Sequence, residues 1–336
     1  MKRTIIISIL LIAAALLLPL LFLRQNATEW DLFSKEDAGS SEEESADTPD
    51  QTQDTELLDA AITLTAQING EPVATTMAEY LPGVLAAEMP ATFELEALKA
   101  QAIAARTYIL YRMQGSEAAH PDANVCDDFN CCAAYLTVDE LRENWGEAFD
   151  SNWAKIQQAV QETSGQYMVY EEEPIQAVFH SSSAGKTEDS SNIWGDQPYL
   201  VSVDSPETEA KVPNFIASTE VSANEFRTVI LTADQNADLS GDVSEWVGEV
   251  KTGETGRVDY AIIGGVSFSG TALRELFGLR STAFTLDYGG GQFVFTTTGY
   301  GHGVGMSQYG ANVLAEEGQS CEEILLHYYS GVSIVT

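Results

Sequence analysis

The run MAEYLPGVLAAEMPATFELEALKAQAIAARTY, Met77 to Tyr108, limits what this chain can fold into more than any other. Apolar spacing predicts a short helix over Ala78–Glu88, with Tyr80, Leu81, Val84, Leu85 and Ala87 forming its apolar stripe. Pro82 fits that helix only in the first turn. Pro90 restricts Met89 and ends the helix there, which leaves Glu88 at an exposed tip. Thr92 suits the N-cap of a second helix, and Glu94 suits its positive end. From Leu95 to Leu110 that helix is apolar almost all round, as a buried helix is. Its few polar residues are Lys99, Gln101 and Arg106. Lys99 and Arg106 stand seven apart and share one face, where two cations need a partner or a wet cleft. A carboxyl group in apolar surroundings has a raised pKa, the state required of a general acid. Glu88 is therefore the candidate acid, with Lys99, Gln101 and Arg106 beside it. The plainer alternative is a surface Glu and two snorkelling cations; the apolar flanks favour the site.

The 336 residues are 44% hydrophobic, enough for one large or two ordinary domains. Ile5 to Leu23 is an uncharged apolar run long enough to span a bilayer, preceded by Lys2 and Arg3 and followed by Arg24. The positive-inside rule places the N-terminus in the cytoplasm and the rest outside. A cleaved signal peptide is the competing reading, but no small-x-small site precedes Arg24. Asn26 to about Glu56 is polar and acidic, the composition of a disordered tether. The expected division is 1–25 for cytoplasmic tip and membrane anchor, 26–57 for the linker, and 58–336 for one extracytoplasmic α+β domain. A net charge of −35 excludes nucleic acid as a partner and requires a local basic patch for any anionic polymer.

His120, Cys126, Cys131 and Cys132 lie within thirteen residues. Their soft and borderline donors suit a tetrahedral zinc ion, and a set of four protein ligands leaves no open position, so the site reads as structural. A disulfide from Cys126 to one of the adjacent cysteines is the rival. Cys321 reads as a packed helix position. QYMVYEEEPIQAVF reads as two short strands around an acidic turn, after which a polar loop carries His180, Ser181, Ser182 and Ser183, then Trp194 and Tyr199. Such loops build binding walls, and Trp194 and Tyr199 suit the apolar faces of sugar rings; the alternative is a connector with inward aromatics. A Ser-His pair lacks the strand-turn-helix setting of a nucleophile elbow. Residues 206–256 are weakly patterned. Arg257–Ile263 and Ala283–Phe295 read as strands, the latter turning at Gly289-Gly290-Gly291, and Thr271–Phe277 as a helix. In GYGHGVGMSQYGAN, glycines at alternate positions from 299 to 305 surround His302, so the backbone approaches something closely. A helix from Met306 follows; the spacing fits neither a dinucleotide fingerprint nor a P-loop.

Three blocks, YLPGVLAAEMPATFELEALKAQAIAARTY, FHSSSAGKTE with the following IWG and PYLVSVDS, and GYGHGVGMSQYGAN with EEILLHYYSGV, together resemble the stage II sporulation protein D family over roughly residues 60 to 336. The resemblance implies a lytic transglycosylase acting on peptidoglycan strands stripped of stem peptides, anchored by one membrane span and working with a cell-wall amidase during forespore engulfment. It places the catalytic acid on Glu88 and a substrate cleft on Lys99, Arg106, His180, Ser181, Tyr199, His302 and Gln308. Some members carry a Cys/His zinc cluster where His120, Cys126, Cys131 and Cys132 stand, with His in place of Cys131. A related branch is described as amidase enhancers, so a glycan-binding scaffold is the alternative to an enzyme.

Overall fold

The computed structural model describes residues 58–115 and 120–336. The expected anchor (1–25) and linker (26–57) lie outside them, and no helix of the described residues is long and apolar enough to cross a membrane. Strands β1 (Thr63–Ile68) and β2 (Glu71–Thr76) form an antiparallel hairpin that delivers the chain to helix α1 (Met77–Glu88). The Thr76 hydroxyl accepts from the Glu79 N–H while the Glu79 carboxylate accepts from the Thr76 N–H, a reciprocal cap that starts α1 at Met77. Pro82 consequently sits in the second turn, not the first, and removes one N–H from the helical ladder. Burial carries the helix past it: Leu81, Pro82, Gly83, Val84 and Leu85 are all in the core.

Extended Met89 ends α1 ahead of Pro90, as Pro90 requires. The next helix, α2 (Leu95–Gln114), has Glu94 rather than Thr92 at its N-cap, and the Glu94 N–H donates to Asn312 Oδ1 at 2.7 Å. Ala97, Leu98, Ala100, Ala102, Ile103 and Ala104 are fully buried. The alanines let other helices approach closely, so α2 is the central rod of the fold.

Strand β3 (Val125–Cys126) joins β1 in parallel. Helices α3 (Val138–Trp145) and α4 (Phe149–Glu162) follow, then β4 (Tyr167–Tyr170) and β5 (Glu173–Pro174) around the acidic turn, with Glu171 and Glu172 at positive φ. Strand β6 is Phe179–His180. Beyond Val203, which still packs on the first core, the chain builds a second. That one comprises β7 (Ile216–Ser222), α5 (Ala223–Ala233), β8 (Val247–Thr252), β9 (Val258–Ile263), β10 (Val266–Ser269), α6 (Gly270–Phe277), β11 (Phe284–Gly289) and β12 (Gln292–Thr298). Two three-stranded sheets, β11-β12-β7 and β10-β9-β8, enclose Phe226, Trp246, Phe293 and Phe295. Gly290 and Gly291, both at positive φ, make the expected hairpin turn. Sequence pattern found no elements in 206–256 because β7 buries only Val221, and α5 only Phe226 and Ile230.

The chain then returns to the first core through β13 (Met306–Ser307), α7 (Gln308–Glu316), α8 (Cys321–Tyr328) and β14 (Ser333–Val335). The expected single domain over 58–336 thus holds two hydrophobic cores among its described residues, the second inserted into the first. Parallel pairing of β13 with β6 sets Ser307 opposite His180 and draws the two distant segments together.

Candidate active site

Glu88 is the last residue of α1 and is half-buried. Its Oε1 accepts the Ala134 N–H at 2.8 Å, and its Oε2 accepts from Gln308 Nε2 at 3.1 Å. Burial raises its pKa above the ordinary carboxylate value, against a smaller downward pull from these two bonds. Gln308 is the first residue of α7, so its amide is placed by the cap of that helix. The cap is Ser307, whose hydroxyl oxygen accepts the Gly310 N–H at 3.2 Å. Its single proton goes to Glu207 Oε1, which also accepts the Ser183 N–H. Glu207 Oε2 accepts from Ser205 Oγ at 2.6 Å, which leaves Ser205 to accept from the Tyr328 hydroxyl at 2.8 Å. A Cβ at Gly310 would collide with Tyr328, Ser205 and Glu207, so α7 rests directly on this network.

His180 donates from Nδ1 to the Val304 carbonyl at 3.1 Å, and its Nε2 therefore accepts from Ser183 Oγ at 2.6 Å. Burial, then the neighbouring His302 and Arg257, hold its pKa well below the usual value. His302 donates from Nε2 to the Phe179 carbonyl at 2.9 Å and accepts the Val304 N–H on Nδ1 at 3.1 Å. Burial, then Arg274, lower its pKa to about 4. Both rings are held in the neutral form at neutral pH. Trp194, 53% exposed, lies over His302 at 4.9 Å between ring centres.

The glycine run approaches the protein's own backbone. A Cβ at Gly301 would come within 2.7 Å of the His180 Cβ, and one at Gly305 would collide with the Val178 carbonyl; both glycines have positive φ. The run threads past β6 so that His302 can reach Phe179.

Several expected cleft residues are placed elsewhere. Arg106 is fully buried and forked onto Asp59, Nε to Oδ1 at 2.8 Å and Nη2 to Oδ2 at 2.7 Å. Lys99 pairs with Glu96 at 2.8 Å and Glu162 at 3.3 Å. Both cations serve the fold, because buried charges on α2 are met by acids of neighbouring segments. Tyr199 is buried, with its ring against Tyr170 and its hydroxyl accepting the Gln176 N–H, so it offers no face to a sugar. Gln101 and Ser182 are buried, and neither the Gln101 amide nor the Ser182 hydroxyl has a hydrogen-bond partner among the described residues. The Ser181 carbonyl accepts the Tyr309 N–H at 3.0 Å, tying the serine loop to α7. Glu188 and Asp189, in the polar loop after His180, are already engaged: Glu188 accepts from Asn192 in that loop and from Thr255 across 67 residues, and Asp189 accepts from Ser191. Sequence reasoning missed Ala134, a backbone donor with no side-chain signal, and Glu207, which stands in an unpatterned polar stretch.

Two residues before Ala134 the Cys/His cluster ends. The ligand atoms of His120, Cys126, Cys131 and Cys132 all lie within 4.8 Å of one another, with His120 Nε2 3.3 Å from both Cys131 Sγ and Cys132 Sγ. The four cysteines form no disulfide, against the rival expectation. Burial, and to a lesser extent the neighbouring thiols, pushes Cys126 up to about 12. The segment leaving the cluster packs on α1: Tyr135 stacks on Tyr80 at 4.9 Å, and the Leu136 N–H donates to the Gly83 carbonyl at 3.3 Å. The cluster loop therefore holds both the backbone of α1 and the carboxylate at its end.

A family model described as stage II sporulation protein matches residues 72–170, the span of α1, α2 and the cluster. Stage II sporulation protein D of Bacillus amyloliquefaciens is 41% identical over 259 residues, covering 76% of this chain and 73% of that protein. The chain belongs to the stage II sporulation protein D family. Stage II sporulation protein D of Bacillus subtilis (strain 168) is likewise 41% identical over 260 residues, with the same coverage. An amidase enhancer of the same strain is 29% identical over 309 residues, 76% of this chain and 40% of that protein. Of the residues expected at the site, the fold pairs Glu88 with Gln308 and His180 with His302, and turns Lys99, Arg106 and Tyr199 to structural use.

Proposed function

We propose that this sporulation-family protein is a lytic transglycosylase that cleaves the MurNAc–GlcNAc bond of peptide-stripped peptidoglycan strands, with Glu88 as its one acid. The observation that carries the reading is the half-buried Glu88 carboxyl with raised pKa at the end of α1, held by Ala134 N–H and Gln308. Protonated Glu88 gives its proton to the bridging oxygen as the glycosidic bond breaks, so the leaving GlcNAc departs as the alcohol. The resulting carboxylate takes the proton from the C6 hydroxyl of MurNAc as that oxygen closes on C1, giving a 1,6-anhydro end and restoring the acid. Hydrolysis by water would ordinarily need a second carboxylate across the bond. Glu207 is sealed, Glu188 is buried and accepts from Asn192 and Thr255, and Asp189 accepts from Ser191, so the sugar's own hydroxyl is the nucleophile that this set of residues favours.

The three thiols and one imidazole fit a closed tetrahedral zinc site in donor type and mutual distance. Zinc there would stabilise the loop that presents Ala134 rather than take part in bond cleavage. The N-terminal anchor would hold the domain at the outer face of the cell membrane, beside its glycan substrate and a cell-wall amidase partner. The 29% identical amidase enhancer supports a second reading, a non-catalytic scaffold that stimulates such an amidase.

Incubating the protein with stripped strands separates the readings. Products ending in anhydro-MurNAc, about 18 Da lighter than hydrolytic products by loss of one water, are expected. Products of hydrolytic mass would overturn the nucleophile assignment, and no product together with amidase stimulation would establish the scaffold.

A further inference from the structure

Glu207 is a buried carboxyl to which the cleavage chemistry gives no part. It stands ahead of β7, on neither of the segments that build the site, yet both of them reach it. Its Oε1 accepts the Ser183 N–H from the serine loop after β6 and the hydroxyl proton of Ser307, the cap of α7. From Ser183 the contacts run to the exposed aromatic. Ser183 Oγ donates to His180 at 2.6 Å, the His180 ring lies 5.6 Å from that of His302, and Trp194 covers His302. From Ser307 they run to the acid, since Gln308 is the next residue and its Nε2 is 3.1 Å from Glu88 Oε2. One carboxylate oxygen thus joins the two lines of contact. Glu207 Oε2 is held in turn by Ser205, which Tyr328 backs, so both oxygens are fixed.

Ser183 and Ser307 are fully buried, so losing Glu207 would leave both donors unsatisfied. Ser307 has a single hydroxyl proton. While Glu207 takes it, a lone pair is left facing the Gly310 N–H, and the first turn of α7 keeps one setting. That setting decides what Gln308 shows to Glu88. An amide can turn either end to a carboxyl. Its N–H favours the ionised form, whereas its carbonyl accepts from the protonated form and competes for the proton that the leaving oxygen needs. We propose that Glu207 is a positioning residue for the acid: it acts through Ser307 to hold the Gln308 amide N–H toward Glu88 and, through Ser183, keeps that acid in register with the Trp194 face. The inference rests on the glycan-cleaving reading above and adds the residue that orients its acid. Among the described residues no charged side chain acts on Glu88, which is shifted only by burial and its two hydrogen bonds. The charged or titratable groups around Glu207 are Arg257, whose charge reaches it, Tyr328 behind Ser205, and neutral His180 behind Ser183. Its influence on Glu88 therefore runs through Gln308.

The test follows Glu88 itself. In the full-length chain with NMR-active carbon at its glutamate carboxyls, the resonance absent from Glu88→Gln reports the titration of that residue. Glu207→Gln should raise the midpoint above the wild-type value by roughly one pH unit or less, as Gln308→Leu should, because a donor to the carboxylate is lost in each. With Gln308→Leu already in place, adding Glu207→Gln should move the midpoint no further, since both act along one line of contact. Ser205→Ala removes a partner of Glu207 at Oε2 rather than Oε1, and should lower the melting temperature with the Glu88 midpoint in place. On stripped strands Glu207→Gln should lower kcat about tenfold or more with KM held within about twofold, because misplacement acts on the reacting geometry. A wild-type midpoint or a wild-type kcat in Glu207→Gln, shifts that add in the double variant, or an equal shift in Ser205→Ala overturns the proposal. Should Glu207→Gln fail to melt cooperatively, Ser307→Ala is read in its place, and an unmoved midpoint there overturns the proposal equally. Wild-type protein that yields no product defeats the cleavage reading, whereas the titration judges the positioning without any reaction.

Discussion

Glu88 and Glu207 are held by adjacent residues, Gln308 and Ser307, yet their surroundings are opposite in kind. Glu207 is 3% exposed and accepts from Ser183 N, Ser307 Oγ and Ser205 Oγ, so every contact favours a fixed acceptor. Glu88 is half-buried, has two donors and keeps an open side. The difference teaches which of two enclosed carboxyls can exchange a proton with a substrate: the one with few donors and access, not the one deepest in the protein. Glu88→Gln should cut strand cleavage by about 10²–10⁴-fold with its cooperative melt intact. Glu207→Gln should instead leave a buried donor facing a donor and cost about 1–3 kcal/mol of stability. A Glu88→Gln enzyme at wild-type rate, measured by release of reducing or anhydro ends, would erase the distinction.

Arg106 extends the comparison to the cations. Its pair with Asp59 also takes in the Gly165 N–H and the Gln166 carbonyl, tying the residues ahead of β1 to α2 and to the start of β4. Arg106→Met strands a buried carboxylate and should cost about 3–5 kcal/mol in urea unfolding. Replacing Asp59 as well should recover much of that loss, since the uncompensated charge then disappears. A marginal effect of Arg106→Met on stability, with a large loss of glycan binding, would return Arg106 to the cleft.

Metal removal probes the donor on the other side of Glu88. If zinc bridges His120, Cys126, Cys131 and Cys132, chelation should lower the melting temperature, because structural sites couple metal affinity to folding. Activity should fall with it, since Ala134 follows the cluster by two residues and donates to Glu88. Elemental analysis finding no zinc in the purified protein, with stability indifferent to chelator, would refute the site.

Where local pattern and burial agree, sequence was enough. The helix ending at Glu88 (though not its Thr76 cap), the buried central helix, the glycine hairpin at 289–291 and the grouping of His120 with Cys126, Cys131 and Cys132 are legible from spacing, because each depends on residues close in the chain. The pairing of Glu88 with Gln308, 220 residues away, was legible only through motif resemblance. What stayed hidden depends on contacts with no local signature. Asp59 meets Arg106 across 47 residues, Ala134 contributes only a backbone N–H, and Glu207 lies in a stretch that reads as plain polar loop. The second core was missed because its first strand and helix bury so few side chains.

The smallest expected effect sharpens the comparison most, because it alters the donors of Glu88 without touching its carboxyl. Gln308 Nε2 stabilises the ionised form, so Gln308→Leu should raise the Glu88 pKa further above its ordinary value. Activity needs the protonated acid and is lost as pH rises through that pKa; the alkaline limb of kcat/KM should therefore move up, by roughly one unit or less. Stability carries the same sign. A group whose folded pKa is raised contributes stability that is complete below its unfolded value and is lost as pH climbs through the folded one. The wild-type chain should accordingly lose stability across that window, while Glu88→Gln, having no proton to lose, should not. In Gln308→Leu the loss should start at the same pH but continue to a higher one than in wild type, in step with the kinetic limb. An alkaline limb that stays in place in Gln308→Leu would show that some group other than Glu88 governs the profile, and the acid would have to be sought elsewhere along the cleft.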